Sequence, residues 1–438
     1  MLQVETLPAS LRELLQVFRS CFTAPTFRTF AMLLAGLIAA PARRTVCGML
    51  TAAGLAGVWH HSRAHGFFAR ARWCADQVGL ALAGLIVDRL VPAGAPVLVA
   101  IDDTLFRRTG RRVHATAWCH DGAARGLTPR AKLRWGNCWV IAGIIVTVPG
   151  ISRPVCLPVL ARLWRPGGPT KPALGRDLAG VLAAAVPHRQ VDVVADSHYS
   201  TREFRTPPAN LTMTGRVKSN AVFFGIHTPT PGANGRPRLR GQRLGNPAAL
   251  AERYPWRSTL VHRYGRTDTV SLLELRCLWY GVYRTRPIRV VLLRDTDTTS
   301  YDLALVTTDL TTPAHTIISR YAARWAIEVA FHNAKQITGL GQTRNRTRRA
   351  VERTIPFGLV AHSLITCWYA LTAQHPDDIT TRRRHAPWYT TKTEPSYLDM
   401  TVKLRHLIIA ARFHPGTTRT PTPQETLAVH QAWAHAAA

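Results

Sequence analysis

Four polar side chains in the last third of the chain recur at the spacing of an α-helix. They are Tyr321, Arg324, Glu328 and Lys335, separated by three, four and seven residues. Because a helix turns by about 100° per residue, these intervals place a phenol, two cations and a carboxylate on one face. Taken alone, such a stripe is most often a solvent-exposed face stabilised by ion pairs one helical turn apart. Its chemical role depends on what else the chain supplies.

The same segment carries the start and stop signals of a single helix. Thr312 followed by Pro313 is typical of an N-cap and a first helical position, and Gly339 and Gly341 are typical of a helix end. The sequence therefore predicts one continuous helix that presents all four side chains.

Two further carboxylates come at the ends of apolar segments. Asp103 closes VLVAIDDT (97–104), and Asp196 follows VDVVA at 191–195. An aspartate at the carboxyl end of a buried strand is well placed to face a cleft, although such residues are also common turn formers. Together with Glu328, three converging carboxylates can hold two divalent cations that activate an attacking oxygen and stabilise a leaving oxygen. Mg²⁺ suits ligands that are all oxygen.

The overall charge indicates a polyanionic partner. The chain of 438 residues has 56 Lys and Arg against 25 Asp and Glu, a net charge of +31, and its pI is about 11.2. Neutralising phosphates and releasing their counterions would draw such a protein to nucleic acid. The competing partner is an anionic membrane surface, but the sequence has no uninterrupted apolar run of about 18 residues. We therefore expect no membrane association.

The cysteines and the N-terminus favour the cytoplasm. The eight Cys residues include no C-x-x-C pair, so reduced and mostly buried thiols are expected rather than a zinc finger or a disulfide framework. A basic segment ahead of a short apolar stretch, the mark of a secretory signal, is missing at the N-terminus. We predict a cytoplasmic bacterial protein associated with the nucleoid.

The order of predicted elements indicates an α/β fold with a mixed sheet. Residues 1 to about 93 show helical spacing, and they suit either a DNA-binding domain or a helical cap on the main domain. Predicted strands at 97–104, 137–148 and 153–161 precede a helix at 175–187 and further strands at 191–200 and 211–217. The predicted domains are 1–94 (helical), 95–217 (core, first part), 218–286 (β-rich insertion), 287–372 (core, second part, with the Glu328 helix) and 373–438 (C-terminal segment).

These motifs together resemble the DDE transposases of bacterial insertion sequences. The stripe fits the Y-(2)-R-(3)-E-(6)-K signature of one branch without a gap, and IDDT (101–104) and ADSHYS (195–200) are similar to the two acidic motifs of the family. The long interval between the second acid and Glu328 is similar to the β-rich insertion of that branch. The resemblance covers roughly residues 95 to 370 and implies an RNase H-like catalytic core.

The resemblance also implies roles for individual residues. Asp103, Asp196 and Glu328 would be the catalytic metal ligands for two Mg²⁺ ions, with Mn²⁺ able to substitute. Adjacent residues of a strand face opposite sides, so only one of Asp102 and Asp103 can take this role. The family pattern of acid, Asp and Thr favours Asp103 and leaves Asp102 structural or close behind the ligands.

The cations would bind double-stranded DNA at the transposon ends and in the target. Arg324 and Lys335 would hold phosphates beside the scissile bond, and Tyr321 would donate to a phosphate oxygen or position the helix. Arg-rich segments at 235–241 and 344–353 offer further phosphate contacts. From these segments we select Arg236, Arg238, Arg344 and Arg346.

The first Arg-rich segment has a second interpretation. Its sequence, GRPRLRG, is similar to minor-groove hooks, but an ordinary basic loop fits equally well.

The function predicted from the resemblance is metal-dependent cleavage at transposon ends, followed by transfer of the 3′-hydroxyl into target DNA. A homodimer is expected in the active complex, since two ends are joined to one target. Two alternatives remain at this point: a catalytically silent DNA-binding regulator derived from a transposase, and a metal-dependent nuclease without strand transfer.

Overall fold

The computed structural model describes residues 7–41, 43–122, 124, 128, 130–227, 238–295, 300–413 and 424. The N-terminal part is helical, as predicted. Its helices are α1 (Ala9–Leu15), α2 (Ala24–Ala39), α3 (Val46–Ala52), α4 (His61–Ala69) and α5 (Ala75–Leu90). Most residues of α2 are buried on every side, so this helix lies inside the protein rather than on its surface.

Twelve strands follow among the described residues, and ten of them form one sheet. They are β1 (Val97–Arg107), β2 (Ala117–His120), β3 (Leu133–Val146), β4 (Val155–Trp164), β5 (Val191–Ala195), β6 (Leu211–Arg216), β7 (Phe223–Phe224), β8 (Arg243–Gly245), β9 (Arg257–Arg263), β10 (Arg266–Cys277), β11 (Ile288–Arg294) and β12 (Leu303–Thr307). The sheet order is β2-β3-β1-β5-β6-β12-β11-β10-β9, with β4 also paired to β3, and β7 pairs with β8 separately.

The core of this sheet is RNase H-like. Strands β4, β3 and β1 are antiparallel neighbours, and β5 and β6 then run parallel to β1. Helix α6 (Lys171–Ala185) connects β4 to β5. It starts with a cap in which the Thr170 hydroxyl accepts a hydrogen bond from the backbone N–H of Ala173. The predicted mixed α/β fold is thus confirmed.

The remaining strands extend the same sheet. Strand β12 pairs with β6, and β11, β10 and β9 continue outward in antiparallel order. The predicted domain boundary at 286/287 falls between β10 and β11, which are paired along seven residues each. Two short helices, α7 (Pro247–Arg253) and α8 (Tyr280–Tyr283), lie in the predicted insertion. The domain limits themselves stay a prediction.

The helix expected to carry the polar stripe is two helices. Helix α9 (Ala314–Ala323) ends before Arg324, and α10 (Ala326–Gln336) begins after Trp325. Around this junction the backbone bonds shorten to the three-residue type, as in the bond from the Arg324 N–H to the Tyr321 carbonyl, 3.0 Å. The prediction of one continuous helix is therefore wrong at residues 324 and 325.

The break has a packing reason. Ala314, Ile317 and Ile318 of α9 pack on the outer strands β9 to β12. In α10, Ile327 and Phe331 pack instead on β1, β3 and β4. Each helix buries its apolar stripe against a different part of the sheet. Because the sheet twists, these two parts face in different directions, and one straight helix would not pack on both.

Helix α11 (Arg348–Trp368) joins the N-terminal helices to the core. Phe357 lies edge-on to Phe68 and near Phe30 and Phe67, with ring centroids 5.2 to 5.9 Å away. Arg353 of the same helix donates to backbone carbonyls at 68, 71 and 73. The N-terminal helices therefore pack on the main domain in the manner of a cap. Their role in DNA binding stays a prediction.

The chain continues into two further helices, α12 (Asp378–His385) and α13 (Tyr397–Phe413). Among the described residues, the helical stretch Arg348–Ala373 alone is long and apolar enough to cross a membrane, and 89% of its apolar window is buried inside the protein.

Candidate active site

Strand β1 separates two polar clusters, because its side chains alternate between the faces of the sheet. Asp102 and Thr104 face α10, together with the apolar Ala100 and Phe106. Asp103 faces α6 on the other side. The two adjacent aspartates therefore belong to different environments.

On the α10 face, one arginine bridges two acids. Arg324 donates from Nη1 to Asp102 Oδ2 and from Nη2 to Glu328 Oε1, both at 2.9 Å. The side chains of Arg324 and Asp102 are 13% and 18% exposed, so this contact is largely shielded from water. The carboxylates of β1 and α10 thus approach each other through a shared cation.

Asp196 lies beside this bridge. It comes one position after the pairing of Ala195 with Ile101 in the parallel strands β5 and β1, which places it next to Asp102. Its Oδ1 accepts the backbone N–H of His198 at 2.9 Å, a turn that fixes the carboxylate at the strand end. Three acids from β1, β5 and α10 are therefore brought to one side of the sheet.

The other members of the stripe flank the acids. Lys335 Nζ donates to Thr104 Oγ1 at 2.7 Å and lies over the ring of Phe106 at 5.4 Å. Burial lowers the pKa of Lys335. Burial also raises the pKa of Tyr321, whose ring lies 5.9 Å from the Arg324 guanidinium. The stripe is therefore partly buried against β1 and is not a solvated surface.

Asp103 is engaged on the opposite face. Its Oδ2 pairs with Lys171 Nζ at 2.6 Å and accepts from Cys138 Sγ at 3.3 Å, and its Oδ1 accepts from Tyr199 Oη at 3.3 Å. Tyr199 is fully buried beneath α6, and a Cβ on Gly175 would lie 2.9 Å from its ring. Asp103 thus links the first acidic strand to α6 and to the loop after Asp196.

This placement bears on the choice between the two aspartates. Asp102, and not Asp103, shares a face with Asp196 and Glu328. The family pattern in the sequence favoured Asp103 as the metal ligand and Asp102 as a supporting residue. The geometry instead favours Asp102 as the ligand and Asp103 as the supporting residue.

The acids suit a divalent cation by their chemistry. Burial raises the pKa of Asp102 to about 7, Asp196 and Asp103 add to the rise, and Arg324 opposes it. A carboxylate in this position gains from a nearby dication, which favours its charged form. Within the described residues, no three His, Cys, Asp or Glu side chains lie close enough to share a metal ion. The acids would therefore have to move closer together to share a metal ion, and Arg324 engages one oxygen of each of Asp102 and Glu328 in this arrangement.

Four further arginines were predicted to contact DNA. Arg344 and Arg346 are exposed in the segment before α11, and Arg238 is exposed near β8. Arg236 lies outside the described residues. Within the described residues, Arg238 makes no hydrogen bond or ion pair with the acids.

Sequence reasoning missed several residues near the site. Lys171 is one of only six lysines in the chain. Because most of the other cations are arginines, the rarity of lysine was the feature that could have drawn attention to it. Tyr199 sits inside the quoted motif ADSHYS but was given no role. Trp325 is 56% exposed at the junction of α9 and α10. Its position became notable only once that junction was known to be a break.

Comparisons with known proteins identify the family of the chain. Residues 17–272, more than half of the chain, match the family described as DDE superfamily endonuclease. The matched range contains the acids of β1 and Asp196, and it stops before Glu328. A cryo-EM structure of the piggyBac transposase synaptic complex with hairpin DNA matches over 98% of this chain and 82% of that chain, with 10% identity and a TM-score of 0.42. No curated protein gives a significant match.

The fold and the family match together define an RNase H-like α/β protein with acids on its central strands: Asp102 and Asp103 lie in the middle of β1, not at its end as predicted, and Asp196 directly follows β5. The chain belongs to the DDE superfamily endonucleases. The predicted relation to DDE enzymes is confirmed at this level.

Proposed function

We propose that this endonuclease is the transposase of a bacterial insertion sequence, from the branch with the Y-(2)-R-(3)-E-(6)-K signature. It cleaves DNA at the ends of the element and joins the freed 3′-hydroxyl to target DNA. The observation that carries the proposal is the bridge from Asp102 through Arg324 to Glu328, with Asp196 alongside. It joins the signature stripe to the acid of β1.

The metal ligands in this proposal are Asp102, Asp196 and Glu328. Two Mg²⁺ ions, or Mn²⁺ in their place, would activate the attacking oxygen and stabilise the leaving oxygen when bound there. Asp103 supports the site from behind, through Lys171 and Tyr199.

The cations act on the phosphate rather than on the metal. Arg324, once released from the acids, can hold two oxygens of the scissile phosphate at once. Lys335 is kept near that position by Thr104 and Phe106. The ring of Tyr321 packs against the Arg324 guanidinium and would limit its movement. Together these groups would fix the phosphate in line with the attacking oxygen.

The remaining parts of the proposal concern the assembly. Exposed arginines such as Arg344 and Arg346 bind the backbone of double-stranded DNA, both at the element ends and at the target. The active complex is a homodimer, because two ends meet at one target. The protein works in the bacterial cytoplasm in association with the nucleoid.

The test uses purified protein, DNA that ends in the inverted repeats of the element, a target plasmid and Mg²⁺. Joined products are expected. Cleavage without joining would identify a nuclease that lacks strand transfer, and retarded but uncut DNA would identify a silent binding protein. Either result overturns the proposed function.

A further inference from the structure

Two tryptophans lie together near the far end of β1. Trp118 of β2 and Trp135 of β3 are paired in register, and their ring centroids are 5.8 Å apart. Trp118 is 65% exposed. Trp135 is only partly exposed, and its Nε1 donates to the Gly110 carbonyl at 3.4 Å. One indole is therefore held in place while the other presents its surface to solvent.

The pair lies on the same face of the sheet as the acids. The backbone N–H of Arg108 donates to the Trp135 carbonyl at 3.0 Å, and Arg108 has the same parity along β1 as Asp102. Arg108 also donates to Asn137, two residues from Trp135, at 2.9 Å. Six residues of strand separate Asp102 from Arg108, a span of about 20 Å.

The segments next to this tryptophan pair carry cations. The loop after β1 carries Arg111 and Arg112, both exposed. The backbone N–H of His114 in that loop donates to the Arg346 carbonyl at 2.9 Å, so the loop is tied to the segment that presents Arg344 and Arg346. Buried Arg108 adds a second tie, to the Thr343 carbonyl.

We propose that this surface, formed by Trp118, Trp135, Arg111, Arg112, Arg344 and Arg346, binds DNA at an unpaired base. The proposal rests on the proposed function and adds a binding position about 20 Å along the sheet from the acids. The base stacks on Trp118, and the arginines hold the phosphates on either side of it.

The chemistry favours an unpaired base over other occupants. A base within a duplex has both faces covered by its neighbours, whereas an unpaired base offers a face to an indole. A second copy of this chain would bring the same arginines and the same net charge of +31, so like charges would oppose that contact. DNA supplies the negative charge that this surface lacks.

The experiment compares two DNA probes in Ca²⁺ without Mg²⁺. One is a short random-sequence duplex, and the other is the same duplex with a few unpaired bases at its centre, one of them 2-aminopurine. We expect wild-type protein to bind the second probe about tenfold more tightly and to quench the 2-aminopurine fluorescence by stacking. Trp118→Ala should lose both effects while its affinity for the paired duplex is unchanged.

Matched variants complete the design. Trp388→Ala removes an indole that is 72% exposed elsewhere in the chain and should behave as wild type. Trp118→Phe should keep part of the preference. A Trp118→Ala protein that retains the preference and the quenching overturns the inference, as does a change in its oligomeric state without DNA, which would mark a contact between copies.

The outcome can be separated from that of the proposed function. If ends are cleaved and joined but the unpaired probe is not preferred, the inference alone fails. If neither probe is bound, both fail.

Discussion

Asp102 and Asp103 are neighbours in sequence with opposite surroundings, and this difference can be measured. We expect Asp102→Asn to reduce cleavage to background, because it removes the charge of the proposed metal ligand beside Asp196. Asp103→Asn should retain cleavage that depends on metal. It should also lower the free energy of unfolding by about 1–3 kcal/mol, since it weakens the partner of Lys171. The measurements are end cleavage in Mg²⁺ and urea denaturation.

Each variant is the control for the other, since both replace one aspartate oxygen by nitrogen in the same strand. If Asp103→Asn abolished cleavage while Asp102→Asn remained active, the original assignment from the family pattern would be correct.

The stripe allows chemistry and positioning to be separated. Glu328→Gln should abolish cleavage and preserve protection of the DNA near the cut site, because the cations remain. Arg324→Ala should leave slow, metal-dependent cleavage with weaker protection, since misplacing the phosphate by about 1 Å costs on the order of 10²-fold in rate. Lys335→Ala should resemble Arg324→Ala. Footprinting and single-turnover cleavage provide the two readouts.

If Arg324→Ala left both the footprint and the cleavage rate unchanged, the stripe would be only a helix face stabilised by ion pairs.

Sequence reasoning at this scale succeeded in part. It located Asp196 at the end of a strand and Glu328 on a helix, because apolar runs and helical spacing are local properties. It was unable to decide between Asp102 and Asp103 from the strand alone. Alternation shows that they face apart, but the face covered by α10 depends on how Ile327 and Phe331 pack.

At the scale of elements, Arg320 adds ion pairs to the apolar packing of α9, with Asp192 and, at 3.5 Å, with Asp309. Arg320 Nη1 lies 2.6 Å from Asp192 Oδ2 of β5, whose side chain is 6% exposed. Arg320→Ala should lower the free energy of unfolding by about 3 kcal/mol, because it leaves a buried carboxylate without its cation. It should also slow cleavage, since α9 carries Tyr321 and leads into Arg324. Urea denaturation and cleavage rates test both effects.

Arg266→Ala provides a matched control for that variant. It removes an arginine paired with Asp268 at 3.1 Å, but the side chain is 73% exposed. Exposed pairs contribute little to stability, so the change should be within about 0.5 kcal/mol. Equal losses in the two variants would show that the Asp192 contact does not hold α9.

The element scale also shows what periodicity cannot reveal. The 100° spacing of the stripe is compatible with a continuous helix and with two helices separated at residues 324 and 325. Only packing on two parts of the sheet distinguishes them. Similarly, residues 218–286 were predicted to be β-rich, but nothing local indicated that β9 and β10 extend the core sheet through β11 and β12.

At the scale of the whole molecule, the N-terminal helices share a hydrophobic core with the sheet. Their apolar spacing predicted helices correctly, and the partner of those apolar faces lay more than 250 residues away in α11. The hydrophobic periodicity of each segment predicts its own helix but does not indicate which distant helix it packs against.

The net charge of +31 leads to the last prediction, which concerns salt. Binding to end DNA should weaken steeply with salt concentration, because each neutralised phosphate releases counterions and contributes about −0.9 to the slope of log K against log salt.

Arg344→Ala and Arg346→Ala should each reduce the magnitude of that slope by about one. Arg153→Ala should leave it unchanged, since this exposed residue lies in the turn between β3 and β4, at the opposite end of β3 from Trp135. Fluorescence anisotropy over a series of salt concentrations measures all three variants. A slope near zero in the wild-type protein would mean that phosphates are not what the positive charge binds, and equal slopes in Arg344→Ala and the wild type would remove that arginine from the interface.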